Sequence, residues 1–204
     1  MAWPDKKGGI YLKYIMKSRI LYMLPEEKPR GKDISVWKNE SETARAEPEK
    51  IAIIKSRSCE PKKEIVTGDG QMFFMEALDT KDAPAPFLQR IYRLLDANGT
   101  LIMTGRPLYS DEDNPNVYGW PLCRMPRADR LEIHQDQETL MLHMKNNQYY
   151  QLSDAGGRIV YTLIHKGISG GWDLETFREF SPDILCGLFL FCNYLGKENE
   201  FITV

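Results

Sequence analysis

The sequence predicts a mainly β (α+β) domain, an antiparallel meander closed into a barrel around one hydrophobic C-terminal helix. Three observations predict it. Tight-turn marks recur between runs of β-forming residues. Apolar and polar positions alternate over much of the chain. One segment near the carboxyl end is apolar on nearly every face. With 204 residues, 42% of them hydrophobic and 27% charged, the chain suits a single domain over residues 1–204 with a sizeable core. A formal charge of −2 excludes a generally basic nucleic-acid binder.

In chain order, Ile10–Met16 and Arg19–Leu24 are apolar and aromatic and read as strands. The stretch at about 25–49 is polar, with Pro25, Pro29 and Pro48, and reads as an exposed loop holding one short strand at Ile34–Trp37. Ile51–Ile54 is the next strand. Thr67-Gly68-Asp69-Gly70 then precedes Gln71–Leu78. Asp96-Ala97-Asn98-Gly99 separates Arg90–Leu95 from Thr100–Thr104, and Asp154-Ala155-Gly156-Gly157 separates Gln148–Leu152 from Arg158–Ile164. Glycine supplies the positive φ that a tight hairpin demands, and aspartate bonds forward to its own backbone, so each mark predicts an antiparallel hairpin. Arg130–His134 and Thr139–Met144 alternate across a polar tip at Gln135–Glu138, and Trp172–Arg178 alternates as well. Nothing in this order suggests βαβ units or a nucleotide-binding parallel sheet.

Ser181-Pro182-Asp183 starts a helix, with a serine cap, proline at the first helical position and an acid at the positive end of the dipole. The helix is expected from Asp183 to Leu195, with Gly196 as a terminating glycine beside Lys197. About 14 residues give roughly 21 Å, short of the ~30 Å of a bilayer's hydrocarbon. An all-apolar helix of that length has to be enclosed by protein. A long meander leaves unpaired edges unless it closes. Closure with a small strand number leaves an interior that side chains fill, whereas a wider barrel needs a plug. The helix is that plug.

The chain at this point resembles the tubby C-terminal-like superfamily, which includes tubby proteins, phospholipid scramblases and LURP-one-related proteins. The likeness runs from about Gln71 to Phe201. It is carried by Tyr-x-Leu-x-Asp-x-x-Gly-x-Ile (Tyr150 to Ile159), Lys-Gly-x-x-x-Gly-Trp (Lys166 to Trp172), and the apolar helix followed by Glu-x-x-Phe (Glu198 to Phe201). Arg93 to Ile102 looks like the earlier hairpin of the same pattern. The resemblance implies a closed barrel of about twelve strands around one buried helix. It also implies no catalytic centre, and a role in binding phosphoinositide headgroups or in moving lipid between leaflets. The sequence departs from scramblase-like members in two ways. Asp173, Glu175, Glu179 and Asp183 lack the spacing of a calcium loop, and Cys123 stands alone rather than in a cluster.

Chemistry-bearing residues are few. Cys59, Cys123, Cys186 and Cys192 are scattered, with no zinc spacing, and read as free thiols. Asp111-Glu112-Asp113-Asn114-Pro115-Asn116 reads as a solvated loop, because proline and asparagine stand where a calcium loop needs a tight turn. His134, His143 and His165 show no ligand spacing and read as structural or surface residues. Nucleophile elbows and phosphate-binding motifs are missing. Gly167 to Gly171 reads as a loop, and Glu198 and Glu200 as exposed residues near the chain end. An enzyme with a cleft between Pro107 and Pro126 has no motif behind it. No cofactor and no metal is expected.

Two basic sets suit an anionic headgroup through charge-assisted bonds. One is Arg124, Arg127 and Arg130, with Lys145 across the hairpin. The other is Lys13, Lys17 and Arg19, interleaved with Tyr11, Tyr14 and Tyr22. Residues 1–70 carry 15 Lys+Arg against 11 Asp+Glu, and residues 71–204 carry 12 against 18. The first third is thus the more basic, mildly so. The amino-terminal residues show no secretory pattern and position 2 is not glycine, so a cytoplasmic protein peripheral to a membrane is expected. The expected function is non-enzymatic: binding an anionic phospholipid or a protein partner at a membrane surface. The alternative is a soluble interaction or scaffold module with no lipid role.

Overall fold

In the computed structural model the described residues are 12–18, 33–39, 49–55, 62–80, 89–109, 128–146, 148–167 and 171–200. Twelve strands precede one helix: β1 (Leu12–Ser18), β2 (Ile34–Asn39), β3 (Glu49–Lys55), β4 (Lys63–Thr67), β5 (Met72–Thr80), β6 (Gln89–Asp96), β7 (Leu101–Tyr109), β8 (Ala128–Gln135), β9 (Glu138–Asn146), β10 (Tyr149–Ser153), β11 (Ile159–His165), β12 (Trp172–Thr176) and α1 (Pro182–Glu200). Every strand pairs antiparallel with its chain neighbours, and β1 pairs with β12, which closes the barrel. The predicted fold class is the observed one.

The three turn marks build one and the same hairpin. In each, the N–H of the fourth residue bonds the first residue's carbonyl: Gly70 to Thr67 at 2.9 Å, Gly99 to Asp96 at 3.1 Å, Gly157 to Asp154 at 2.9 Å. The glycines sit at φ 85°, 84° and 78°, the left-handed position of a bulged turn. The Asp96 carboxylate takes the N–H groups of Asn98 (2.8 Å) and Thr100 (2.7 Å), and that of Asp154 takes the N–H of Arg158 (2.9 Å). The β8–β9 tip is tighter than expected. Gln135 and Glu138 still pair, so only Asp136 and Gln137 turn, with Asp136 at φ 52°. Ile34–Asn39 is a full strand inside the polar stretch, and β3 already begins at Glu49. Arg19–Leu24, Asp111–Asn116, Cys59 and Cys123 lie outside the described residues.

Alternation puts one face of each strand inward. Met16, Val36, Ile54, Ile65, Met75, Leu94, Leu131, Leu142, Leu163 and Leu174 are buried there. The helix fills the space they leave, and Leu185, Cys186, Leu188, Phe189, Phe191 and Leu195 are almost fully buried. Burying one such leucine or phenylalanine stabilises by ~1.5–3 kcal/mol. Burial pushes the thiols of Cys186 and Cys192 far up, so both are unreactive hydrophobes. Tyr14 points into this core as well. It is therefore not beside Lys13 on the outer face.

Close contact between helix and wall depends on small residues. A Cβ on Gly187 would come within 2.9 Å of Met103 Cε and 3.0 Å of Leu94 Cδ2. A Cβ on Gly105 of β7 would meet the Phe191 ring at 3.1 Å. The opposite side of α1 carries Phe189, which meets Trp172 edge-on at 5.9 Å. Trp172 in turn lies 4.6 Å from the His165 ring.

The helix end departs from expectation. α1 has 19 residues and continues through Gly196, which is present because Tyr150 Oη lies 3.0 Å from where its Cβ would be. Glu198, expected in solvent, is buried at 5% exposure. Its Oε1 accepts a hydrogen bond from Tyr92 Oη and one from Arg90 Nη1 (3.2 Å), while Arg90 Nε donates to Asp79 at 3.0 Å. The extra turn thus ties the last part of α1 to β5 and β6. At ~1.5 Å per residue the full helix approaches bilayer thickness, so the length argument for enclosure fails; the burial of its side chains establishes enclosure instead.

Candidate functional site

Strand register assembles a polar belt on the outside of the barrel. Lys13 of β1 faces Glu175 of β12, Glu175 faces Thr162 of β11, and Thr162 faces Gln151 of β10. Gln151 faces His143 of β9, and His143 faces Arg130 of β8. Each of the six is flanked in its own strand by inward, buried residues such as Tyr14, Leu174, Leu163, Leu152, Leu142 and Leu131. The period of two therefore turns all six away from the core, with Thr162 itself buried.

The two ends of the belt differ electrostatically. At the β1–β12 end Lys13 lies 4.0 Å from both Asp173 and Glu175, and Lys166 lies 2.6 Å from Asp173. Two ammonium groups thus face two carboxylates. Lys13 itself lies beside two carboxylates. Lys17 belongs to β1, and Arg19 lies outside the described residues.

At the β8–β9 end the balance is positive. Arg130 and Lys145 flank His143, and among the described residues the carboxylate acting on it is that of Asp129, 3.6 Å from Arg130 Nε. Burial first, and then the charges of Lys145 and Arg130, hold the His143 imidazole below its usual value, with Asp129 acting weakly against them. Two cations beside a partly buried imidazole are an arrangement that an anion would relieve. Arg130 and Lys145, two residues of the first predicted set, do meet here; Arg124 and Arg127 lie outside the described residues. His143 was missed as a member. The hairpin contained the signal, since a two-residue turn at 136–137 forces 143 opposite 130.

The other histidines are engaged elsewhere. His134 Nε2 lies 2.9 Å from Glu132 and its Nδ1 3.1 Å from Thr139, whereas His165 packs on Trp172. No group of His, Cys, Asp and Glu able to hold a metal occurs among the described residues.

Charges stud the outward positions, among them Glu76 paired with Arg93, while the interior is apolar. That is the reverse of a membrane-spanning barrel, whose outer band is apolar. Among the described residues no helix is long and apolar enough to cross a membrane. No family model, curated protein or solved structure matches the chain.

Proposed function

We propose that the barrel is a non-enzymatic binding domain whose Arg130–His143–Lys145 cluster takes the phosphoryl group of an anionic, phosphoinositide-like lipid at a membrane surface. The single observation behind this reading is the crowding of Arg130 and Lys145 beside His143, with Asp129 the carboxylate close by among the described residues. Guanidinium and ammonium groups bind phosphate by charge-assisted hydrogen bonds of ~1.5–3 kcal/mol each. The tubby-like resemblance agrees in kind. In this reading the protein works on the cytoplasmic side and needs no cofactor.

Co-sedimentation with phosphatidylcholine vesicles, with and without a few per cent phosphoinositide, tests it. Enrichment should depend on the anionic lipid and fall with salt. Arg130→Glu and Lys145→Glu should each weaken it by about tenfold or more. Binding should also tighten as pH falls through the histidine range. His143 is held neutral in the free protein, a bound anion favours its protonation, and linkage then makes the anion's affinity rise with proton activity. Absence of enrichment at low salt would overturn the lipid reading and leave the soluble interaction module.

A further inference from the structure

The amino-acid sequence contains one Asn-Gly pair, Asn98-Gly99. The fold sets it in the open at the tip of the β6–β7 hairpin, where residues 97–100 are all exposed. Asparagine before glycine is the least hindered setting for imide formation. Glycine has no side chain to obstruct attack of its main-chain nitrogen on the asparagine Cγ. The step balances with water alone. The Gly99 nitrogen bonds to Asn98 Cγ, its proton passes through solvent to Nδ2, and the Cγ–Nδ2 bond breaks to release ammonia. Water then opens the cyclic imide at either carbonyl, which leaves aspartate or isoaspartate at position 98.

The turn itself restrains that chemistry. The carbonyl of Asp96 accepts the Gly99 N–H at 3.1 Å, so the nitrogen that must lose its proton keeps it in a hydrogen bond. The Asp96 carboxylate takes the N–H of Asn98 at 2.8 Å and that of Thr100 at 2.7 Å, which fixes the main chain on both sides of Gly99. This carboxylate also opposes negative charge growing on the Gly99 nitrogen. The Thr67–Gly70 turn is a comparison within the same molecule, since it repeats the geometry and carries Asp69-Gly70. There the side chain is a carboxylate engaged by Thr67 and Gln71, and a carboxylate anion is a poor electrophile. Asn98 is the reactive member of the pair.

We propose that Asn98 is a site of spontaneous deamidation through a main-chain imide, and that Asp96 is the gate that sets its rate. Isoaspartate at position 98 routes the main chain through the side-chain carbons and so lengthens the turn. The strands that this turn joins carry Leu94 and Met103, which close on Gly187 of α1. The modification therefore bears on the seat of the helix.

Peptide mass spectrometry after incubation of the folded chain at mildly alkaline pH tests the proposal, beside the same chain in urea and folded Asp96→Ala. In urea the peptide containing Asn98 should gain the mass difference between an amide and an acid, and resolve into aspartate and isoaspartate forms. The folded chain should convert about tenfold or more slowly than the chain in urea, and Asp96→Ala several-fold faster than the folded chain. Hydrogen exchange separates the gate from a general loss of stability. In Asp96→Ala the Gly99 N–H should exchange faster while the amides of Leu94 and Met103 keep their protection. No conversion in urea would overturn the proposal, as would equal rates in the folded and unfolded chain, or an Asp96→Ala rate no faster than that of the folded chain. Faster conversion with a matching loss of protection throughout the hairpin would overturn the role of Asp96.

Discussion

Gly105, Gly187 and Gly196 mark the places where α1 touches the wall most closely, and each answers to a named neighbour: Phe191, Met103 and Tyr150. Adding bulk there crowds a packed interior. Gly105→Val should cost ~1–3 kcal/mol by overpacking, because Leu131 Cδ2 at 3.0 Å and the Phe191 ring leave no room. Urea denaturation would read this as a lower midpoint at an unchanged slope. Glu198→Gln should cost ~1–3 kcal/mol, since Tyr92 loses its charged acceptor. The figure stays modest because Arg90 keeps Asp79 and is partly in water. Gly196 and Glu198 were also where sequence reasoning failed. A glycine after an apolar run signals a helix end unless a tyrosine from another strand needs its space, and nothing local reveals Tyr150. A glutamate near the chain end reads as solvated unless a distant arginine and tyrosine wait for it.

The hairpins were the most readable elements, because their chemistry is local. Asp96 shows it well: its carboxylate bonds two N–H groups inside its own turn. Those bonds, the one to Thr100 first, hold it below the usual carboxylate value. A depressed acid stabilises the fold at pH above its unfolded value, and that stabilisation is lost as pH falls through the folded value. Asp96→Ala should therefore be less stable than the unmodified chain near neutrality, and the gap should narrow on acidification. Urea midpoints taken from neutral to strongly acidic pH would check the sign. The belt was half readable. Alternation across the tip at Gln135–Glu138 was enough to set Lys145 near Arg130, whereas the two-residue turn that places His143 opposite Arg130 was not read. The carboxylates beside Lys13 were not legible, because β1 and β12 lie far apart in the chain and only barrel closure makes them neighbours.

Closure and plugging are properties of the molecule entire, and they stand or fall together. Leu188 is fully buried in α1, so Leu188→Asp would place an unpaired charge in the middle of the barrel. The expected result is loss of the cooperative melt for the whole domain rather than local fraying, read by circular dichroism and by collapse of amide dispersion in NMR. Deleting residues from Ser181 onward should do the same, because twelve strands enclose more space than their own side chains fill. That a plug was needed followed from sequence-level reasoning. Which wall it leans on did not, for that is decided by side chains such as Leu94 and Met103 meeting Gly187.

The order of synthesis gives this arrangement a cost in the cell. The ribosome delivers all twelve strands before it delivers the rod that they surround, so the nascent polypeptide must wait with its greasy lining unfilled. A premature stop codon between Thr176 and Pro182 would release the twelve strands without their rod, a natural client for chaperones and proteases.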